Sequence, residues 1–330
     1  MNRQAKSGTL ADLASQLRQT VGILHKRDIQ TAAAQLGGWA PTASAPIRIG
    51  DDCAAIPDGE GYLLLAAEGL WPTLVSTEPW FAGWCAVLVN VSDIYAMGGY
   101  PIAIVDALWS PSIEQAQKLW QGMLAASQAF NVPIVGGHTN CHSPYEAIAA
   151  AILGRSQHLL TSFDAQPGDV LLLVADFEGQ PHPTYAFWDA ATMKPPAVLQ
   201  AHLALLPQLA ATGLCDTAKD ISMGGLVGTT LMLLETSGCG AVLEVDAIPC
   251  PAALSLEKWL ISFPSYGFLL SVRPQRAAAV QRHFQAHNLV CAAIGVVTSG
   301  TSLNLKQGTE QVELWDLSQD ALTGFSQQAE

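Results

Sequence analysis

The stretch from Trp80 to Pro101, WFAGWCAVLVNVSDIYAMGGYP, constrains this chain more than any other. Nearly every position up to Met97 is apolar. Gly98, Gly99 and Pro101 then follow as C-terminal breakers, so the run predicts one helix and a stop. A helix that is apolar on almost all sides is a buried one. Yet this one carries Asn90, Ser92 and Asp93 in its C-terminal half. A buried carboxylate is costly unless it is hydrogen-bonded, paired or bound to a metal, and a position near a helix C-terminus is unfavourable for an anion. Asp93 therefore needs a cation.

The rest of the chain alternates strands with helices. Residues 10–36 carry leucines and valines at three- and four-residue steps, which predicts a helix ending at Gly37-Gly38 and a Pro-rich loop. The segment 47–56 reads as a short strand leading into an acidic turn at Asp51-Asp52. A buried strand over 61–69 ends near Glu68. After the apolar helix come a strand at 101–109, a helix at 112–130, and a brief strand at 132–135 running into a Gly136-Gly137 turn. A further strand follows at 147–153. Pro167-Gly168-Asp169 is a turn that marks a domain boundary. Beyond it lie a strand at 170–174, a long loop at 176–196, a helix at 197–211, and a helix opening at 219–226. Strands at 241–245, 267–272 and 291–297 and helices at 252–261 and 274–287 complete the pattern. The alternation argues for an α/β or α+β fold, and 330 residues are long for a single core. The expected division is an N-terminal helical extension over 1–44, a first domain over 45–155 and a second over 160–310.

Charge narrows the function. A count of 15 Lys plus Arg and a net charge of −13 argue against a basic nucleic-acid-binding face and against attraction to an anionic membrane. Any phosphate ligand must be held largely by backbone amides and metal ions. Seven cysteines without a C-x-x-C pair are neither a disulfide framework nor a zinc site; they read as small buried hydrophobes in a reducing compartment. The N-terminus lacks a signal core and the apolar helix is short for a bilayer span, so the expected location is cytoplasmic.

Asp51-Asp52, Glu68, Asp93 and Asp220 all fall at element ends or in apolar surroundings, away from charged faces. Mg²⁺ shared with phosphates takes one or two carboxylates per ion, so separated carboxylates suit two or more ions bridging a polyphosphate. Gly136-Gly137 offers backbone amides for phosphate oxygens. Each feature also has a plain structural reading. Asp51-Asp52 fits a solvated turn, Glu68 an ordinary strand end, and Asp220 a helix N-cap. His138, Cys141 and His142 lack a further soft ligand for a transition metal. No P-loop or dinucleotide fingerprint is present.

Taken in order, these segments resemble the superfamily of aminoimidazole ribonucleotide (AIR) synthetase, selenophosphate synthetase, thiamine-monophosphate kinase and the hydrogenase maturation protein HypE. Gly50-Asp51-Asp52-Cys53-Ala54-Ala55 looks like its G-D-D-A-A segment. Asn90 to Pro101 is very close to its N-x-S-D-I-x-A-M-G-G-x-P signature. Gly136-Gly137-His138-Thr139 looks like its G-G-[DEH]-T turn, and Asp220 to Leu226 is similar to the D-I-S-D-G-L or T-G-G-G-L element of its second domain. The closest likeness is to an uncharacterised AIR-synthase-related branch. The resemblance implies two α/β domains of PurM-like architecture in a homodimer, the first domains pairing their sheets across the dimer. It implies ATP and Mg²⁺ acting on a small-molecule substrate. Asp51, Asp52, Glu68, Asp93 and Asp220 would fall on metal and phosphate positions, with Asp52 and Asp93 closest to the chemistry. Asn90, Gly136, Gly137, His138 and Thr139 would lie near the nucleotide phosphates.

Departures from the pattern matter. Glu68 stands where the family usually has Asp. Met223 replaces the second Asp of the kinase-type D-I-S-D element, which weakens a thiamine-monophosphate kinase assignment. No Gly-rich loop with a Cys or Lys nucleophile precedes Ile47, which argues against selenide chemistry. Cys53 stands where the family often has Ala and reads as a small buried residue. The expected activity is Mg-ATP-dependent phosphorylation or activation of a metabolite oxygen or other heteroatom. The alternatives are a non-catalytic nucleotide-binding subunit of a biosynthetic complex, and a selenophosphate-synthetase-like or thiamine-monophosphate-kinase-like enzyme.

Overall fold

The computed structural model describes residues 8–36 and 47–325; the expected Gly37-Gly38 stop and most of the Pro-rich loop lie outside them. In chain order the elements are α1 (Leu10–Arg18), α2 (Val21–Leu24), α3 (Asp28–Leu36), β1 (Ala54–Asp58), β2 (Gly61–Gly69), α4 (Pro72–Thr77), α5 (Pro79–Ala96), β3 (Tyr100–Trp109), α6 (Ile113–Phe130), β4 (Ile134–Asn140) and β5 (Ala147–Ser156). There follow β6 (Val170–Ala175), β7 (Gln180–Pro181), β8 (Trp188–Asp189), α7 (Pro196–Leu203), α8 (Leu205–Thr212), β9 (Thr217–Asp220), α9 (Gly225–Ser237) and β10 (Gly240–Glu244). The chain closes with α10 (Leu256–Leu260), β11 (Gly267–Val272), α11 (Pro274–Gln285), β12 (Val290–Thr298), β13 (Ser302–Gln307) and β14 (Glu310–Asp316).

These form two compact units. One comprises Ser44–Thr161 and Asp189–Leu214; the other comprises Met1–Ala43, Ser162–Trp188 and Cys215–Glu330. Two features differ from a linear division into extension, first and second domain. The N-terminal helices group with the later unit, α1 packing on β13 and β14 and α2 on α9. Residues 189–214, expected in the second domain, instead pack within the first, where α7 meets α6 and α8 meets α5. Both choices depend on which apolar face finds a partner, and local periodicity does not carry that information.

The first unit is a five-stranded sheet, in the order β1-β2-β5-β3-β4, with α5 on one face and α6 packed against α5. Every pairing is antiparallel except β3–β4, which is parallel and separated by the α6 crossover. Helix α5 begins with Pro79 at its first position and ends in a Schellman arrangement. The Gly99 amide donates to Ile94 O at 2.9 Å, and Gly98 takes the left-handed turn at φ +73°, a conformation without steric cost only for glycine. The face beneath α5 is closed by Leu64, Ala66, Ile104, Leu108, Ile148, Ala150 and Ile152, all buried. On the opposite face the central rows are also apolar. Leu65, Leu153 and Ala103 lie in one cross-strand row, and Ala67, Ala151 and Val105 in the next. Leu65 and Val105 are exposed there.

The second unit is a seven-stranded sheet, β14-β13-β10-β12-β6-β11-β9, antiparallel except for β10–β13. The β13–β14 hairpin at its edge was not expected from the sequence. Buried Glu235 on α9 accepts the amides of Leu322, Thr323 and Gly324 and the Thr323 hydroxyl, tying the C-terminal segment to that helix. Among the described residues no helix is long and apolar enough to cross a membrane.

Candidate functional site

Asp51 and Asp52 lie in the turn before β1, which begins later than the strand expected at residue 47. The Asp52 amide donates to Asp51 Oδ1 at 3.0 Å within this turn. This turn brings Asp52 to α5: one carboxylate oxygen of Asp52 and one of Asp93 lie within 4.8 Å of each other. Asp93 is only 5 % exposed, and Asp52 is part-exposed. Bringing like charges this close costs free energy that a cation can offset. One turn earlier on the same helix face sits Asn90, fully buried, its Nδ2 donating to Ala86 O at 2.9 Å. Its Oδ1 is enclosed and has no hydrogen-bond partner among the described residues. Oxygen donors of this kind suit a hard divalent cation, so the residues present fit Mg²⁺. His138, Cys141 and His142 do not converge into a metal-binding group among the described residues.

Glu68, near the end of β2, is exposed and lies outside that carboxylate pair. It is on the α5 face of the sheet, in a cross-strand row that runs Glu68, Ala150, Asp106, Gly137. Asp106 is a residue that sequence reasoning missed. Its Oδ2 is buried without a hydrogen-bond partner among the described residues, and burial pushes its carboxyl above the usual carboxylate range. A Cβ on Gly137 would collide with the Asp106 carboxylate and carbonyl, so the glycine is required there by close approach. The available signal was a lone acid within an otherwise apolar strand, VDALW.

Gly136, Gly137, His138 and Thr139 are not a turn. They continue β4, because parallel pairing with β3 carries the strand through to Asn140. As the edge strand of the sheet, β4 has a side without a strand partner among the described residues, where backbone amides remain available to a ligand. The strand also separates its side chains. Gly137 and Thr139 face the α5 side, whereas His138 lies in the opposite row and its ring packs against Trp109 at 5.7 Å between centroids.

Asp220 does not cap a helix. It ends β9 in the second unit and is buried, its carbonyl accepting the Thr229 hydroxyl at 3.2 Å, and α9 starts only at Gly225. Ser222, in the connecting turn, has a buried Oγ without a hydrogen-bond partner among the described residues. Cys53 is buried, as its small-residue reading requires.

Residues 50–156 match the family described as AIR synthase related protein, N-terminal domain, and residues 166–307 match the corresponding C-terminal domain. The chain belongs to the AIR synthase related family. It is 61% identical over 318 residues to an uncharacterised protein of Synechocystis, covering 96% of this chain and 99% of that one. It is 28% identical over 243 residues to the thiamine-monophosphate kinase of Synechococcus elongatus, covering 66% of this chain and 73% of the kinase. Among solved structures, T. maritima PurL complexed with ATP superposes with a TM-score of 0.73 at 18% identity, over 98% of this chain. This family member spans only about half of that PurL chain (53%). The structure of AaThiL complexed with AMPPCP and TMP gives a TM-score of 0.66 at 19% identity, over 94% of this chain and 100% of that one. At these identities the structural likeness speaks for the shared two-domain fold.

Proposed function

We propose that this chain is a Mg-ATP-dependent enzyme that phosphorylates or otherwise activates an oxygen or other heteroatom of a small metabolite. The observation that carries the reading is the pair of carboxylates, Asp52 and Asp93, held within 4.8 Å on and beside a buried apolar helix. Thiamine-monophosphate kinase and ATP-bound PurL among the similar proteins support the choice of nucleotide. In this reading Asp52 and Asp93 would hold the cation. Asp51, Glu68 and Asp220 serve metal and phosphate on the strength of their motif positions. The free edge of β4 supplies alternate backbone amides of the segment Gly136 to Thr139 to phosphate oxygens. His138, on the other face of that strand, is assigned to the same segment through its backbone alone.

When bound, Mg²⁺ would draw charge off the phosphates. The chain's own contribution is positioning. Helix α5 is fixed along its length by burial, so the Asp93 carboxylate has little freedom, and the Asp51 side chain holds the Asp52 amide in the adjoining turn. The apolar helix excludes water, which strengthens electrostatic interactions within the site.

The apolar centre of the outer face of the first sheet, at Leu65, Leu153, Ala103, Ala67, Ala151 and Val105, supports a homodimer formed by packing two such sheets face to face, since exposed apolar patches mark interaction surfaces. Seven free thiols support a reducing, cytoplasmic location. The test is calorimetric titration of the purified protein with ATP, with and without Mg²⁺, beside Asp93→Asn. Binding that requires both Mg²⁺ and Asp93 is expected; ATP turnover unchanged in Asp93→Asn would overturn the reading. Met223 and Glu68, at altered family positions, favour a second reading, a nucleotide-binding subunit without turnover. Steady release of ADP or AMP by the pure protein would exclude it.

A further inference from the structure

The cation site just proposed has two carboxylates from the first unit, and a hard divalent ion takes six or more oxygens. Asn90 is placed to add one. It precedes Asp93 by three positions on α5, and residues at i and i+3 of a helix share a face. The side chain is completely buried, and its amide orientation is dictated by its surroundings. Nδ2 donates to Ala86 O at 2.9 Å. Exchanging the amide oxygen and nitrogen would set Oδ1 against that carbonyl, acceptor to acceptor. The open end of Asn90 is thus an acceptor, Oδ1, enclosed and without a hydrogen-bond partner among the described residues.

An orphaned acceptor at full burial is costly and calls for a proton donor or a cation; the carboxylate of Asp93 on the same helix face brings no proton and itself calls for a cation. A phosphate oxygen offers no proton and would be repelled by Oδ1. A cation satisfies it directly. We propose that Asn90 Oδ1 is an oxygen ligand of the divalent cation held by Asp52 and Asp93, and not a contact to the nucleotide phosphates as its motif position first suggests. This rests on the Mg-ATP reading and deepens it. As a neutral ligand, Asn90 adds an oxygen to the coordination without adding negative charge beside the two carboxylates.

The test uses Mn²⁺ alone, without nucleotide, titrated into the full-length protein while free Mn²⁺ is followed by electron paramagnetic resonance. Asn90→Leu, close in volume and unable to coordinate, is expected to weaken Mn²⁺ binding roughly tenfold or more, in line with the cost of losing a metal-site partner. Asn90→Asp is expected to tighten it, because ligand charge raises affinity. Should Asn90→Asp prove unfolded without metal, its refolding on Mn²⁺ addition, seen by circular dichroism, supports the same assignment. Wild-type Mn²⁺ affinity in Asn90→Leu overturns it. So does an Asn90→Asp protein whose Mn²⁺ affinity is unchanged while its affinity for ATP falls, the signature of a phosphate contact. Absence of Mn²⁺ binding by the wild type itself would instead overturn the Mg-ATP reading, and this inference with it.

Discussion

Replacing Asp93 by Asn should stabilise the metal-free protein and destabilise the metal-loaded one. The sign follows from the geometry of the site. Two carboxylates with oxygens within 4.8 Å repel by about 1 kcal/mol in a water-like medium and about 3 kcal/mol at an effective dielectric of about 20. Asp52 retains partial exposure, so the lower part of that range applies. The near-isosteric amide removes the repulsion without leaving a cavity. In EDTA, Asp93→Asn is therefore expected to melt about 2 °C or more above wild type. With Mg²⁺ at about 100 times its dissociation constant, mass action adds about 2.7 kcal/mol to wild type and much less to the variant, so the order of melting temperatures reverses. Differential scanning calorimetry in both conditions reads both halves. A variant that melts well below wild type in EDTA would show that the Asp93 carboxylate is a structural acceptor of the fold. An equal Mg²⁺ shift in both proteins would place the cation elsewhere.

Three further outcomes are expected. Val105→Asp, which sets a charge in the exposed apolar face of the first sheet, should convert a dimer to a folded monomer in light scattering; a dimer of unchanged affinity would remove that face from the interface. Burial raises the Asp106 pKa in the folded state, so the native form holds its proton more tightly than the unfolded chain. Stability is then lost as pH rises from about 4 through the raised value. Asp106→Asn removes this loss, so its advantage over wild type should grow from acidic to neutral pH in denaturant titrations, and a pH-independent difference would contradict the mechanism. Glu235→Ala orphans three amides and a hydroxyl. It should cost about 2–4 kcal/mol and abolish hydrogen-exchange protection at Leu322 to Gly324; retained protection there would refute it.

The most constrained parts of this protein are legible in its sequence. The apolar run from Trp80, its glycine stop and the lone Asp93 within it define a buried helix with a charge problem, because hydrophobic period and capping chemistry act over a few residues. The motif order from Asp51 to Leu226 is equally local, and it points to the family on its own. Other features depend on pairing. The expected Gly136-Gly137 turn is a strand because β3 lies beside it, and that same register sets Gly137 against Asp106 and sends His138 to the opposite face. Asp220 is a strand end because β11 pairs with it. Residues 189–214 join the first unit because α6 and α5 offer them apolar surface. A residue's own neighbours along the chain set its preference to turn, coil or extend, and strand pairing can override that preference. Which side chains then meet is decided by strand register and face-to-face packing, and those contacts join segments far apart in the chain whose match no local pattern encodes.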